Sequence, residues 1–278
     1  MDDEIPNGVW RLDESTRVAL RLDVVRRSMA TRAFEDAVLE AEELLDESPD
    51  QPDALFLLAE ASLELGQPEV AAEAYGEAIR LGLTGGAPLV GLALAQFDLG
   101  QLEFVEANAT AALRASPDEP EAHHVLGLAL ERMPGREAEA VTHLAAARAL
   151  DPVRFPFPIS LKSADWERIL NRALTRIHPD LAEFWQGVPV RWAPLPDLDE
   201  LRAASPVIRP TVGGLYEGDP TLAEDPWLVR PTALRLYTRN LARAPTREEV
   251  VDDLAVVLQS EALDWLGWAA TDLETGSQ

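Results

Sequence analysis

Leu58-Ala59-Glu60-Ala61-Ser62-Leu63-Glu64-Leu65-Gly66 returns 34 residues later as Leu92-Ala93-Leu94-Ala95-Gln96-Phe97-Asp98-Leu99-Gly100. It returns again as Leu126-Gly127-Leu128-Ala129-Leu130-Glu131-Arg132-Met133-Pro134-Gly135. Each copy is an apolar helical run that stops at a glycine, the residue best able to adopt the left-handed conformation that closes a helix. Small residues at Ala59, Ala93 and Gly127 let a second helix approach closely. That second helix shows in Ala71, Val105 and (shifted by one) Ala140, then in Ala78, Ala112 and Ala147. Pro49, Pro117 and Pro152 punctuate the same rhythm, because proline cannot continue a helix. The spacing predicts helix pairs at 52–65 with 68–81, 86–99 with 102–115, and 120–132 with 136–149. An irregular pair at 15–30 and 33–47 precedes them, with Ala37 in register.

A period near 34 built from paired helices resembles the tetratricopeptide repeat family. The resemblance implies an α-helical solenoid over residues 1–152, three regular repeats plus one degenerate, whose first helices line a groove for a protein or peptide. On the family register the groove falls on Asp53, Phe56, Glu60, Leu63 and Glu64, then on Ala87, Val90, Leu94, Phe97 and Asp98. The last repeat adds Glu121, His124, Leu128, Glu131 and Arg132. The version of this groove that grips acidic tails needs bases, and almost none stand here. An apolar floor of Phe56, Leu63, Val90, Leu94 and Phe97 rimmed by acids suits a basic, partly apolar segment. Two other readings stay open: solvated acids, and a groove packed on the second half of the chain. His123, His124 and His143 read as surface histidines, since adjacent residues on a helix face different ways.

Composition bounds the rest. A chain of 278 residues with 47% hydrophobic and 26% charged residues is that of a globular protein with one or two domains. The net charge of −25 argues against nucleic acid and anionic lipid as partners, both of which demand positive patches. No cysteine is present, which excludes disulfides, thiolate metal sites and cysteine nucleophiles. With an acidic start, Met1-Asp2-Asp3-Glu4, and no apolar run of about 18 residues, the expectation is a cytoplasmic protein. Lys162 is the sole lysine among 24 basic residues, which we read as bacterial codon bias.

Charge and aromatics divide the chain. Residues 1–152 carry a net charge of −19 and residues 153–278 one of −6, while six of the seven tryptophans fall between Trp166 and Trp268. Between the halves, Pro152, Pro156 and Pro158 forbid a continuous helix. The expected boundary is a Pro-rich linker at 153–158, with a second domain over 159–278.

That second domain opens with an amphipathic helix on which Ser163 is a cap and Ile169, Leu170, Ala173 and Ile177 share a face. Val188-Pro189-Val190-Arg191-Trp192 alternates as a strand does. Gly213-Gly214-Leu215-Tyr216-Glu217-Gly218 reads as a turn, followed by a strand in Thr232–Leu241. A last helix starts at Thr246, with Glu249 completing a capping box. These stretches, with Ser260-Glu261-Ala262-Leu263-Asp264 on the last helix, resemble the small bacterial zincin-like metallopeptidase family over residues 159–273. The resemblance implies a small α+β zincin-like domain. Family members carry His-Glu-x-x-His, where histidines at i and i+4 grip zinc while the glutamate polarises its water. Here Ser260 and Asp264 replace both histidines, Ala269 and Ala270 replace downstream acids, and Glu261 survives.

The function expected is therefore a non-catalytic protein- or peptide-binding scaffold whose zincin-like domain has lost its zinc ligands, with no metal and no cofactor. Glu217, Glu261 and Asp264 would line the former cleft. The alternative is an active metallopeptidase with an atypical zinc site that includes Glu261 and Asp264. A third reading makes the second half a cap on the solenoid.

Overall fold

A computed structural model describes residues 13–222 and 227–268. The acidic start and positions 269 and 270 lie outside the described residues. The chain resolves into two compact units, Met1–Leu144 and Ala145–Gln278.

The first unit is a series of helix pairs. They are α1 (Glu14–Ala30) with α2 (Phe34–Glu47), α3 (Pro52–Glu64) with α4 (Pro68–Arg80), α5 (Gly86–Asp98) with α6 (Leu102–Ala115), and α7 (Pro120–Leu130) with α8 (Glu137–Leu150). Each falls within a residue or two of the range the repeat predicts; α8 begins in the first unit and ends in the second. The starts follow from chemistry. Asp13 caps α1 by accepting the Thr16 N–H at 2.8 Å, and Pro52, Pro68 and Pro120 open their helices where a missing N–H costs nothing. The stops do too. Gly66 and Gly100 have φ of 73° and 69°, and the next residues, Gln67 and Gln101, each donate back to a helical carbonyl at 2.8 Å. Between paired helices the contact is made by fully buried alanines, among them Ala59, Ala71, Ala78, Ala93 and Ala112. One methyl per position brings the helix axes close, and a close-packed interior leaves no room for a larger group there.

The second unit contains α9 (Ser163–Leu174), α10 (Pro179–Phe184), β1 (Val190–Ala193), α11 (Leu198–Ala203) and β2 (Gly214–Glu217). A 3-10 turn at Pro220–Leu222, β3 (Ala233–Tyr237), α12 (Thr238–Leu241) and α13 (Arg247–Leu266) complete it. The sheet order is β1-β3-β2, with β1 parallel and β2 antiparallel to the central β3. Trp166, Ile169, Ala173 and Ile177 pack in one core with Leu234, Leu236, Val250, Leu254 and Leu258, while Leu170 is only partly covered. The buried indole of Trp185 donates to the Leu258 carbonyl at 2.9 Å, so its polar end is satisfied inside the core. Thr246 caps α13 as expected, its hydroxyl accepting the Glu249 N–H at 3.2 Å.

Three local expectations need correction. Ser163 is the first helical residue of α9 rather than its cap: Asp165 reaches back to the Lys162 N–H at 2.9 Å and moves the start by one. Gly214–Glu217 is a strand and not a turn, because its backbone pairs with β3. The strand expected to run to Leu241 stops at Tyr237. There the buried Asn240 amide donates to the carbonyls of Pro210 and Val212, at 2.9 and 2.7 Å, and holds the chain in a helical turn.

Candidate functional site

On the first helix of each repeat, α5 packs beside both α3 and α7. The residues expected to line the groove sort by burial. Asp53 is exposed, and Phe56, Glu60, Leu63 and Leu94 are half-buried. Val90, Phe97 and Leu128 are only 5%, 3% and 5% exposed, so they form the floor beneath that surface and not the surface itself. Phe97 is further covered by the Arg132 guanidinium, 5.2 Å from its ring centre, and Arg132 is tied to the Leu128 carbonyl at 2.9 Å. The apolar face left open is that of Phe56, Leu63 and Leu94.

The electrostatics of this face centre on Glu60. Burial raises its carboxyl above the ordinary range, and the charges of Glu121 and Glu64 raise it further. Phe56, one turn before Glu60, meets Tyr75 of α4, which is 2% exposed and edge-on to the Phe56 ring at 5.7 Å. Sequence reasoning missed Tyr75, which sits on a second helix. The available signal was Gly91: a β-carbon there would lie 2.2 Å from the Tyr75 ring, so α5 needs glycine to let the ring pass. The surface reading of the histidines also changes. His123 and His143 are half-buried and face each other, their Nδ1 atoms 2.9 Å apart. The His123 Nε2–H donates to the Pro117 carbonyl at 3.0 Å, so a neutral His123 accepts at Nδ1 from His143.

In the second unit Ser260, Glu261 and Asp264 all lie on α13. Ser260 and Asp264 are exposed and Glu261 is half-buried. The strand beside α13 is the edge strand β2. The Tyr216 N–H donates to Glu261 Oε2 at 2.9 Å, and the Tyr216 hydroxyl donates to Asp264 Oδ2 at 2.8 Å. Burial pushes the Glu261 carboxyl up to about 7; the Tyr216 N–H opposes this and the Asp264 charge adds to it. Burial also raises the Tyr216 phenol, with the bond to Asp264 contributing. Glu217 does not join this group. Side chains alternate along a strand, so Glu217 leaves the opposite face from Tyr216 and pairs with Arg191 at 2.6 Å and Arg235 at 3.0 Å. Among the described residues no group of three or more His, Cys, Asp or Glu side chains is arranged to hold a metal ion. Chemically the arrangement offers one carboxyl able to gain or lose a proton near neutrality, with one oxygen already held by the strand.

The comparisons bear on the first unit. The family model described as Tetratricopeptide repeat matches residues 26–88. No curated protein matches the chain. Among solved structures, the chain is similar to YrrB, described as a TPR protein with an unusual peptide-binding site, at 18% identity and a TM-score of 0.43. That match covers 48% of this chain and 68% of YrrB. MamA is similar at 18% identity over 49% of this chain and 73% of its own, with a TM-score of 0.45. A thermophilic TPR protein of Thermus thermophilus, TTC0263, reaches 24% identity over 48% and 74%, with a TM-score of 0.42. On the family match and the helix-pair geometry, the first unit carries a tetratricopeptide repeat array. The second unit is a small three-stranded sheet flanked by helices.

Proposed function

We propose that this chain is a non-catalytic scaffold that binds a protein or peptide on the first helices of its repeats. The observation that carries the reading is the open apolar face of Phe56, Leu63 and Leu94, set among acids on a helical array of the tetratricopeptide kind. The floor residues Val90, Phe97 and Leu128 support that face from below, and Asp53 and Glu60 supply its charge. The segment bound is basic and partly apolar. The repeats occupy 1–152, a linker 153–158 and a second domain 159–278. We further propose that the second domain is zincin-like, a pseudo-metallopeptidase without zinc ligands, and that the protein acts in a bacterial cytoplasm without metal or cofactor. In support, Glu261 and Asp264 are engaged by Tyr216 and Ser260 brings no strong ligand.

The scaffold reading is tested by selecting random displayed peptides on the whole chain and repeating the selection on Leu94→Arg. Peptides that enrich on the native chain and fail on the variant are expected. No enrichment, or equal enrichment on both, would refute it. The ancestry reading is tested by Ser260→His with Asp264→His, which places two imidazoles at i and i+4 beside Glu261. We expect the double variant to bind zinc in calorimetry where the native chain binds none. A folded double variant without zinc affinity would remove the zincin-like reading.

A further inference from the structure

Glu60 has unusual surroundings for a half-buried carboxylate. The other charges acting on it are the carboxylates of Glu121 and Glu64, and no cation pairs with it among the described residues. Glu64 differs, with Arg32 at 3.7 Å. A partly desolvated acid held among like charges is costly unless a positive group arrives to pair with it.

A second, independent feature meets it at the same place. Tyr75 is almost wholly buried, but its hydroxyl is not among the enclosed polar atoms left without a partner; it makes no hydrogen bond to another described residue, and its tip reaches the surface. The ring passes over Gly91, where a β-carbon would lie 2.5 Å from the hydroxyl oxygen. The helix backbone has thus given up a side chain to admit this phenol. The carboxylates that act on the phenol are Glu60, Glu121 and Glu64. The hydroxyl thus lies within reach of the charge of these acids, an oxygen able to accept a bond from an N–H that they attract.

Apolar surface adjoins this pair. Phe56 meets the Tyr75 ring, and Leu63 and Leu94 lie on the neighbouring turns of α3 and α5. Carbon flanking a half-buried acid and a hydroxyl free to accept matches the side chain of lysine or arginine, whose apolar stem ends in a cationic donor. We propose that Glu60 and the Tyr75 hydroxyl form a pocket for one basic side chain of a peptide, the position at which the array selects its partner. This rests on the groove reading above and narrows it to a residue class at a defined place. The ammonium or guanidinium donates to Glu60 and Tyr75 while its stem covers Phe56 and Leu94.

The test measures fluorescence anisotropy on the whole chain with two short labelled peptides, one alternating leucine and lysine, the other with glutamine for each lysine. The lysine peptide should bind about tenfold or more tightly, the scale of a hydrogen bond to a charged group. Glu60→Gln should bring the two peptides close to parity by weakening the lysine peptide far more than the glutamine peptide. Tyr75→Phe, which keeps the ring, should reduce the preference by about threefold, the scale of one neutral acceptor. Glu42→Gln, an exposed acid on α2, should leave it intact. If Glu42→Gln and Glu60→Gln weaken the preference equally, the diffuse negative field explains it and the pocket is refuted. Equal binding of both peptides by the native chain refutes the pocket but leaves the groove standing. Binding of neither peptide refutes both. Displacement of the lysine peptide by calcium at constant ionic strength, lost in Glu60→Gln, would assign the site to a metal ion and overturn the proposal.

Discussion

The first unit is packed through alanine methyls repeated at a fixed period, whereas the second is packed through Trp166, Phe184, Trp185, Tyr237 and Trp265, which repeat nowhere. Alanine contacts hold helices together by closeness, so any added atom is felt as a clash. Large aromatic side chains hold by area, so removing one leaves a hole. The two units therefore invite opposite perturbations. Tryptophan fluorescence follows the second unit, which holds six of the seven tryptophans, while helical circular dichroism is weighted to the first.

Phe184→Ala breaks the comparison hardest. Phe184 is fully buried and lies edge-on to Trp185, with ring centres 5.0 Å apart. We expect a loss of about 3–5 kcal/mol in urea unfolding followed by fluorescence. A loss under about 1 kcal/mol would mean this core does not rest on its aromatic rings. Next comes Gly91→Ala, one added methyl set 2.2 Å from the Tyr75 ring. It should cost about 1–3 kcal/mol in the dichroism transition and leave fluorescence nearly unmoved. Unchanged dichroism would contradict the close approach of α4 and α5.

The smallest effect sharpens the contrast through pH. Glu261 in the folded chain keeps its proton up to about pH 7, whereas an unfolded glutamate releases it near 4.5. The folded state therefore holds the extra proton between these values. Its contribution to stability is full below about 4.5 and is lost as pH rises through about 7. Glu261→Gln removes that dependence. We expect the native chain to lose more stability than the variant between about pH 5 and about pH 8 in the fluorescence transition. Parallel pH profiles would show that Glu261 is solvated as an ordinary carboxylate.

The same contrast explains what the sequence disclosed. Helices at a fixed spacing declare themselves because Gly66 and Gly100 must take positive φ and Ala59 and Ala93 must be small. Each constraint is local and repeats. In the second unit only the Thr246 cap and the face of Ile169, Ala173 and Ile177 were of that local kind. The strand at Gly214–Glu217 was read as a turn because two glycines outweighed a pairing that depends on residues some 20 positions away. Candidate site residues were legible one at a time, but their burial was not. Val90, Phe97 and Leu128 are floor because Arg132 and neighbouring helices cover them. Tyr75 was missed because its signal, Gly91, stands on another helix and carries meaning only once α4 and α5 are packed together. Glu217 left the proposed cleft by strand alternation once its register with Ala233 was fixed.

Amide chemical-shift mapping of the whole chain, titrated with a peptide selected by display, tests the central claim most directly. The account predicts that the largest shifts fall on α3, α5 and α7, around Phe56, Glu60, Leu63 and Leu94. Shifts gathered instead on β2 and α13, around Tyr216 and Glu261, would contradict it and move the binding function to the second unit.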